Sequence, residues 1–247
     1  MISDPITIVA IFLAFALGGV LKGATGAGAP IITIPVIAAF YDVRIAVVIM
    51  VIPNLLTNIG QLYKYRATIM PRFFTISFAL GGGIGALLGT ILLANLSIKI
   101  LTLSVAFIIL IYISLKLMVP TWKLNYSKAK KLVFFMGSGG GILQGAAGLS
   151  APISLTFLNS MQLDRNQFIP TISVYFGVMS LFQMPALYFY KFLNIETIII
   201  SCLSTVVLMS FMPIGSWLAK SVSKENFDKL ILLLLCFIAL RIIYLNY

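Results

Sequence analysis

"LKGATGAGAP", residues 21–30, sets a lysine, three glycines and a proline inside an apolar run, and "LQGAAGLSAP", residues 143–152, nearly repeats it half a chain later. Sliding the second half back by 122 positions lays residues 140–153 on 18–31 with nine of fourteen identical, among them Gly23/Gly145, Gly26/Gly148, Ala29/Ala151 and Pro30/Pro152. At the same offset Asp42 falls on Asp164 and Gln61 on Gln183; after eight residues of extra length Gly85 falls on Gly215 and Lys99 on Lys229. A lone Gly or Pro in an apolar helix reads as packing or a kink, but recurrence at one offset reads as an internal repeat.

The chain around these stretches is 61% hydrophobic and 9% charged, where soluble domains carry about 25% charged residues. Apolar runs approaching the roughly 20 residues that cross a bilayer recur from end to end, so no stretch is left for a soluble domain. The expected fold is an all-α polytopic membrane protein, one integral membrane domain over 1–247, with repeat 1 at 5–118 and repeat 2 at 131–245 joined by a basic loop at 119–130. Ten apolar pieces make it up: 5–22, 30–40, 44–63, 72–94, 98–118, 131–144, 152–160, 166–190, 195–219 and 227–245. The pairs 5–22 with 30–40 and 131–144 with 152–160 are each joined by a glycine-rich hinge, and the other six read as full spans.

The first residues, "MISDP", hold an acid and no base, unlike the basic start of a cleavable signal peptide, and are expected to remain in the mature chain. The net charge of +11 comes from bases in short loops between apolar runs. They read as topology signals facing anionic lipid, not as a nucleic-acid surface. Cys202 and Cys236 sit inside apolar runs at no metal-ligand spacing.

If each hinged pair crosses once, ten Lys and Arg lie on the side of the central loop and six opposite. If each pair is a re-entrant hairpin, the halves are inverted and the count becomes twelve against four, with Lys22 inside the membrane and Lys220, Lys224 and Lys229 on the positive side. The stronger bias favours inversion. Segment length agrees, because 30–40 and 152–160 rise only about 16 and 14 Å, half a bilayer.

Non-helical backbone at membrane depth is tolerated only where protein buries it or water reaches it. The glycines permit positive φ and close approach to a ligand, and Pro30 and Pro152 suit the first turn of a new helix. Each such helix aims its positive dipole end toward mid-bilayer, and two of them make an anion site. Lys22 adds a full charge beside one hinge; snorkelling to the interface is the plain alternative. No carboxylate is well placed to pair with it: Asp42, Asp164 and Glu196 begin helices, Glu225 and Asp228 lie in a loop, and Asp4 is terminal. Gln144 takes the matching place in repeat 2, so the two are expected to face each other across a pseudo-twofold, where the hinge tips meet. Asn54, Thr57, Asn58 and Gln61 stripe one helix, matched by Ser173, Gly177, Ser180 and Gln183; such stripes bond neighbouring helices or line a cavity. Gly81, Gly85 and Gly89 form a small-residue row for close helix packing.

There is no histidine, no carboxylate cluster and no cysteine pair, so acid-base and metal-assisted catalysis lack their groups; neither enzyme, metal nor cofactor is expected. If protons move, the substrate carries them.

With both hinges in view the chain resembles the TauE/SafE family of sulfite exporters and related permeases, over essentially its whole length. The likeness rests on two halves that each open with a K/Q-G-x-x-G-x-G/S hinge followed by a polar-striped helix and a glycine-rich one. It implies transport of small sulfur oxyanions such as sulfite, or of organosulfonates, in a bacterial plasma (inner) membrane. By position the family's hinge residues are Lys22, Gly23, Thr25, Gly26 and Gly28, and Gln144, Gly145, Gly148 and Ser150; Leu149 and Ser150 depart from the glycine pattern. With Asn54, Asn58, Gln61 and Gln183 they form the candidate substrate site. The expected function is secondary transport of a small anion by alternating access around a midplane site. An anion channel and a non-transporting membrane subunit are the alternatives. The expected partners are the anion and the lipid bilayer, with a homodimer and the direction of transport left open.

Overall fold

The computed structural model describes residues 5–118, 122–221 and 224–246, and their side chains except those of residues 6, 220, 221, 224–228, 230, 245 and 246. Residues 1–4, positions 119–121 of the central loop, and the side chains of Lys220, Lys224, Glu225 and Asp228 lie outside that description. The described chain is helical throughout: α1 (Pro5–Thr25), α2 (Ala29–Phe40), α3 (Val43–Tyr65), α4 (Arg72–Asn95), α5 (Ile98–Met118), α6 (Tyr126–Ala147), α7 (Ala151–Ser160), α8 (Arg165–Phe189), α9 (Ile195–Ser221) and α10 (Lys224–Asn246).

Helix starts follow capping chemistry. Asp42 accepts from Arg44 N at the start of α3, and Asp164 precedes α8. Asn125 accepts from Lys128 N and starts α6 at Tyr126, five residues earlier than hydropathy indicates. Lys128, Lys130 and Lys131 therefore lie on a helix and not in the loop. The capping oxygen decides, since it satisfies an otherwise orphaned N–H. Arg44 serves the other kind of end: its guanidinium donates to the Leu93 and Leu96 carbonyls at the close of α4.

Among the described residues, six helices are long and apolar enough to cross a membrane: α1, α3, α4, α5, α8 and α9. Their outward faces carry Phe107, Leu117, Leu203 and Val206, all exposed, as lipid-facing surface requires. α1 joins this group although its sequence reads as half a hairpin, whereas the described apolar part of α10, Ile231–Tyr244, is shorter.

Packing is closest where glycines meet carbonyls. α4 lies on α6 through Gly81, Gly85 and Gly89 against the Phe134, Ser138 and Ile142 carbonyls, and α1 lies on α9 through Gly23 against Met212 and Gly215 against Val20. A methyl at any of these glycines would collide with backbone. Close backbone approach of this kind supplies the dispersion that holds membrane helices together, since lipid gives them no hydrophobic drive to associate. Between the two glycine pairs, α3 and α8 run antiparallel, as the contacts Asn54–Ser180, Gln61–Ser173 and Thr68–Asn166 show. An aromatic cluster of Phe74, Phe78, Phe157 and Tyr175 fills the α4–α8 side, with Tyr175 Oη donating to Gly137 O at 3.0 Å.

Candidate functional site

The first hinge is built from its own backbone. Gly26 and Gly28 take φ of 82° and 93°, which only glycine adopts without strain. Thr25 Oγ1 donates to Leu21 O at 2.8 Å and also meets Ala27 O. Pro30 sits in the first turn of α2, where no side chain caps the helix. At the second hinge Gly148 alone has positive φ, 72°. Ser150 precedes α7 without capping it and instead receives Ser154 Oγ at 3.0 Å. The departure at Leu149 and Ser150 thus gives a turn with one left-handed glycine instead of two.

The hinge tips do not meet. Gly26 lies against Ile169, in the first two turns of α8, while Gly148 lies against Ile34 and Val47, the latter in the first two turns of α3. Because α3 and α8 are antiparallel, the register set by Asn54–Ser180 and Gln61–Ser173 puts the tips about 27 Å apart along the pair, at 1.5 Å per residue. The reason is length. α1 runs three residues past Lys22 and α6 three past Gln144, so each long arm carries its tip beyond the middle.

What reaches the middle is Lys22. Its side chain is 1% exposed, Nζ donates to Asn58 Oδ1 at 2.9 Å, and it stands 5.9 Å from the ring centre of Phe176. The snorkelling alternative is not what is observed. Asn58 Nδ2 donates to Asn54 O at 2.6 Å and Asn54 Oδ1 at 3.0 Å, and Asn54 Nδ2 to Ser180 Oγ at 3.1 Å. The amides are oriented as a series, each oxygen toward the ammonium and each NH₂ away from it. Ser173 Oγ lies 3.4 Å from Gln61 Oε1, and Thr57 bonds its own backbone at Pro53. The polar stripe therefore bridges α3 to α8 in this arrangement.

The other expected site residues are placed apart. Gln144 and Gln183 are buried, yet Gln144 Oε1 and Gln183 Nε2 have no hydrogen-bond partner. Gly145 is packed on the Ala86 carbonyl, and Gly23 on that of Met212, while Gly23 O accepts from Arg165 and Ser216, each at 3.0 Å. Thr25 and Gly28 line a cavity of about 370 Å³ beside the first hinge, together with Tyr112, Lys116, Asn159 and Arg165. Leu21 and Ala24 of α1 reach this cavity as well, one turn or less from Lys22. Phe176 and Arg165 are absent from the sequence-based set. Phe176 falls on Asn54 at the repeat offset, a signal that marks it once tertiary neighbours are sought.

The match of the whole chain to known families decides what such a centre belongs to. A family model described as sulfite exporter TauE/SafE matches residues 11–242. The chain belongs to the TauE/SafE family. No curated protein and no solved structure matches it. Membership makes it a multi-pass membrane protein of a family of sulfite and anion transporters, and so, at the level of the family, a transporter and not an enzyme.

Proposed function

We propose that the protein is a secondary transporter that carries a small anion, sulfite or a related sulfur oxyanion or organosulfonate, past Lys22 by alternating access. The observation that carries this reading is the burial of Lys22 among neutral partners only, Asn58 and Phe176, midway along the antiparallel α3–α8 pair. A cation held in a membrane interior without a counter-charge is costly, and a bound anion removes that cost.

The same proposal takes residues 5–118 and 131–245 as inverted repeats of one membrane domain in a bacterial plasma membrane, the second extended forward by the start of α6 at Tyr126. Three features support it. α1 packs on α9 as α6 packs on α4. The two hinges contact α8 and α3 at positions 169 and 47, which are equivalent at the repeat offset. α2 turns back along α1 and α3, with Thr33 beside Gly18 and its hydroxyl 3.4 Å from Met50 Sδ, so the first hairpin enters and leaves at one end of α3. Rocking of one repeat against the other would expose Lys22 first toward one end of the α3–α8 pair and then toward the other.

The test is counterflow of labelled sulfite in proteoliposomes holding the purified protein. Saturable uptake accelerated by sulfite on the far side is expected; conductance without that acceleration would make the protein a channel, and no flux would remove the transport reading.

A further inference from the structure

We infer that the transported species is a monoanion, hydrogensulfite or a singly charged organosulfonate, and that dianionic oxyanions are refused. This rests on the transport reading above and narrows its substrate class by charge. Among the described residues Lys22 is the single charged side chain that is buried; every other buried polar group is an amide or a hydroxyl. One ammonium balances one negative charge. A dianion at that position would bring a second negative charge for which the described residues hold no second buried cation.

Two further cations lie toward the hinge and are exposed to its cavity, not buried. Arg165 is held on Gly23 O with Ser216, and Lys116 lines the cavity at the hinge.

The neutral groups point the same way. Gln144 Oε1 and Gln183 Nε2 are both nine-tenths buried or more and both lack partners, so each of these two amides has one unused hydrogen-bonding atom. A buried polar atom without a partner asks for a ligand atom or a water. Hydrogensulfite adds one O–H to its acceptor oxygens, whereas an organosulfonate presents acceptors only, so an open acceptor such as Gln144 Oε1 favours hydrogensulfite between the two monoanions. A dianion presents acceptors only. Hydrogensulfite crossing in this form takes one proton with it, and no protein group need ionise.

The groups around Lys22 bear this out. α2 carries no ionisable side chain; α3 offers Asn58, with Arg44 in its first turn bonded to the Leu93 and Leu96 carbonyls and Lys64 in its last turn. α8 offers Phe176 while Tyr175 is turned to Gly137 O. α9 offers Ser216 to the adjacent carbonyl, with Glu196 in its first turn.

The experiment is initial-rate uptake into proteoliposomes from below to above neutrality, with three probes: total sulfite, whose proton is lost near neutrality; methanesulfonate, a fixed monoanion; and sulfate, a fixed dianion. Sulfite uptake is expected to fall with rising pH, approaching about tenfold per pH unit once the dianion predominates. Methanesulfonate, read as uptake or as competition against sulfite, is expected to hold constant over the same range, and sulfate to be neither carried nor competitive.

Uptake of sulfate at the sulfite rate would overturn the inference while leaving the transport reading intact, as would sulfite uptake that is flat or rising with pH. Parallel falls for sulfite and methanesulfonate would place the titration on the protein and overturn it too, and so would a methanesulfonate that neither enters nor competes. No flux of any probe would remove the transport reading itself.

Discussion

On α1, Lys22 meets Asn58 and Phe176; on α6, Gln144 occupies the matching position and its Oε1 meets nothing. Around both residues the packing is the same. Gly23 is closed against an α9 carbonyl and Gly145 against an α4 carbonyl, and the left-handed Gly26 and Gly148 abut equivalent places on α8 and α3. The two hairpins thus share their scaffold and differ in charge. Residues that cannot change without collision recur in both hairpins, whereas the polar position one turn before the tip differs between them.

The largest effects are expected where the hairpins are alike. Gly215→Val and its counterpart Gly85→Val each drive a side chain into a backbone carbonyl, of Val20 and of Ser138. Backbone cannot step aside as a side chain can, so each is expected to cost more than the about 1–3 kcal/mol of ordinary overpacking. Both variants should fail to give monodisperse protein in detergent, while Gly60→Ala, which enters open space, should behave as wild type. A well-behaved Gly85→Val beside a collapsed Gly215→Val would mean that the two helix pairs are not held in the same way.

Next comes the charge. Lys22→Ala should lower sulfite counterflow by about 100-fold or more, the scale of a lost charged hydrogen bond, with the protein still folded by size-exclusion profile. Gln144→Ala should cost only severalfold. Equal losses would erase the functional difference between the hairpins. The double variant Lys22→Gln/Gln144→Lys sharpens the same point by moving the charge to the other hairpin. If the repeats are pseudo-equivalent, it should recover flux to within about tenfold of wild type, because the ammonium then reaches α8 as it formerly reached α3. Recovery no better than Lys22→Gln alone would show that Asn58 and Phe176 are required as well as the charge.

Much of this was legible in the sequence. The hinges, the positive φ at their glycines, the ten segments to within a few residues and the glycine row of α4 all follow from local rules. Three things do not. The length of the second hairpin's long arm depends on where α6 begins, and Asn125 sets that inside a stretch, "WKLNYSKAKK", whose polarity reads as loop. The partner of Lys22 depends on the α3–α8 register, which no periodicity within one helix contains. Arg165 and Ser216 converge on Gly23 O from two other helices, and a backbone carbonyl leaves no mark on the residues that will seek it.

The smallest effect is expected at the far end of the amide series. Ser180→Ala removes the acceptor of Asn54 Nδ2 without touching Lys22. A buried donor left unpaired costs about 1–3 kcal/mol in a soluble protein, but bonds between membrane helices average about 0.6 kcal/mol because the freed group finds other partners. The lower figure applies here, since Asn54 and Asn58 also bond to one another and the pair can readjust. Thermal unfolding in detergent should therefore shift by a degree or two, with sulfite flux lowered about threefold or less. A loss as large as that of Lys22→Ala would bring Ser180 into the substrate site. No change in either measurement would show that the series ends at Asn54, leaving α8 to hold its place through Phe176 and the glycine contacts alone.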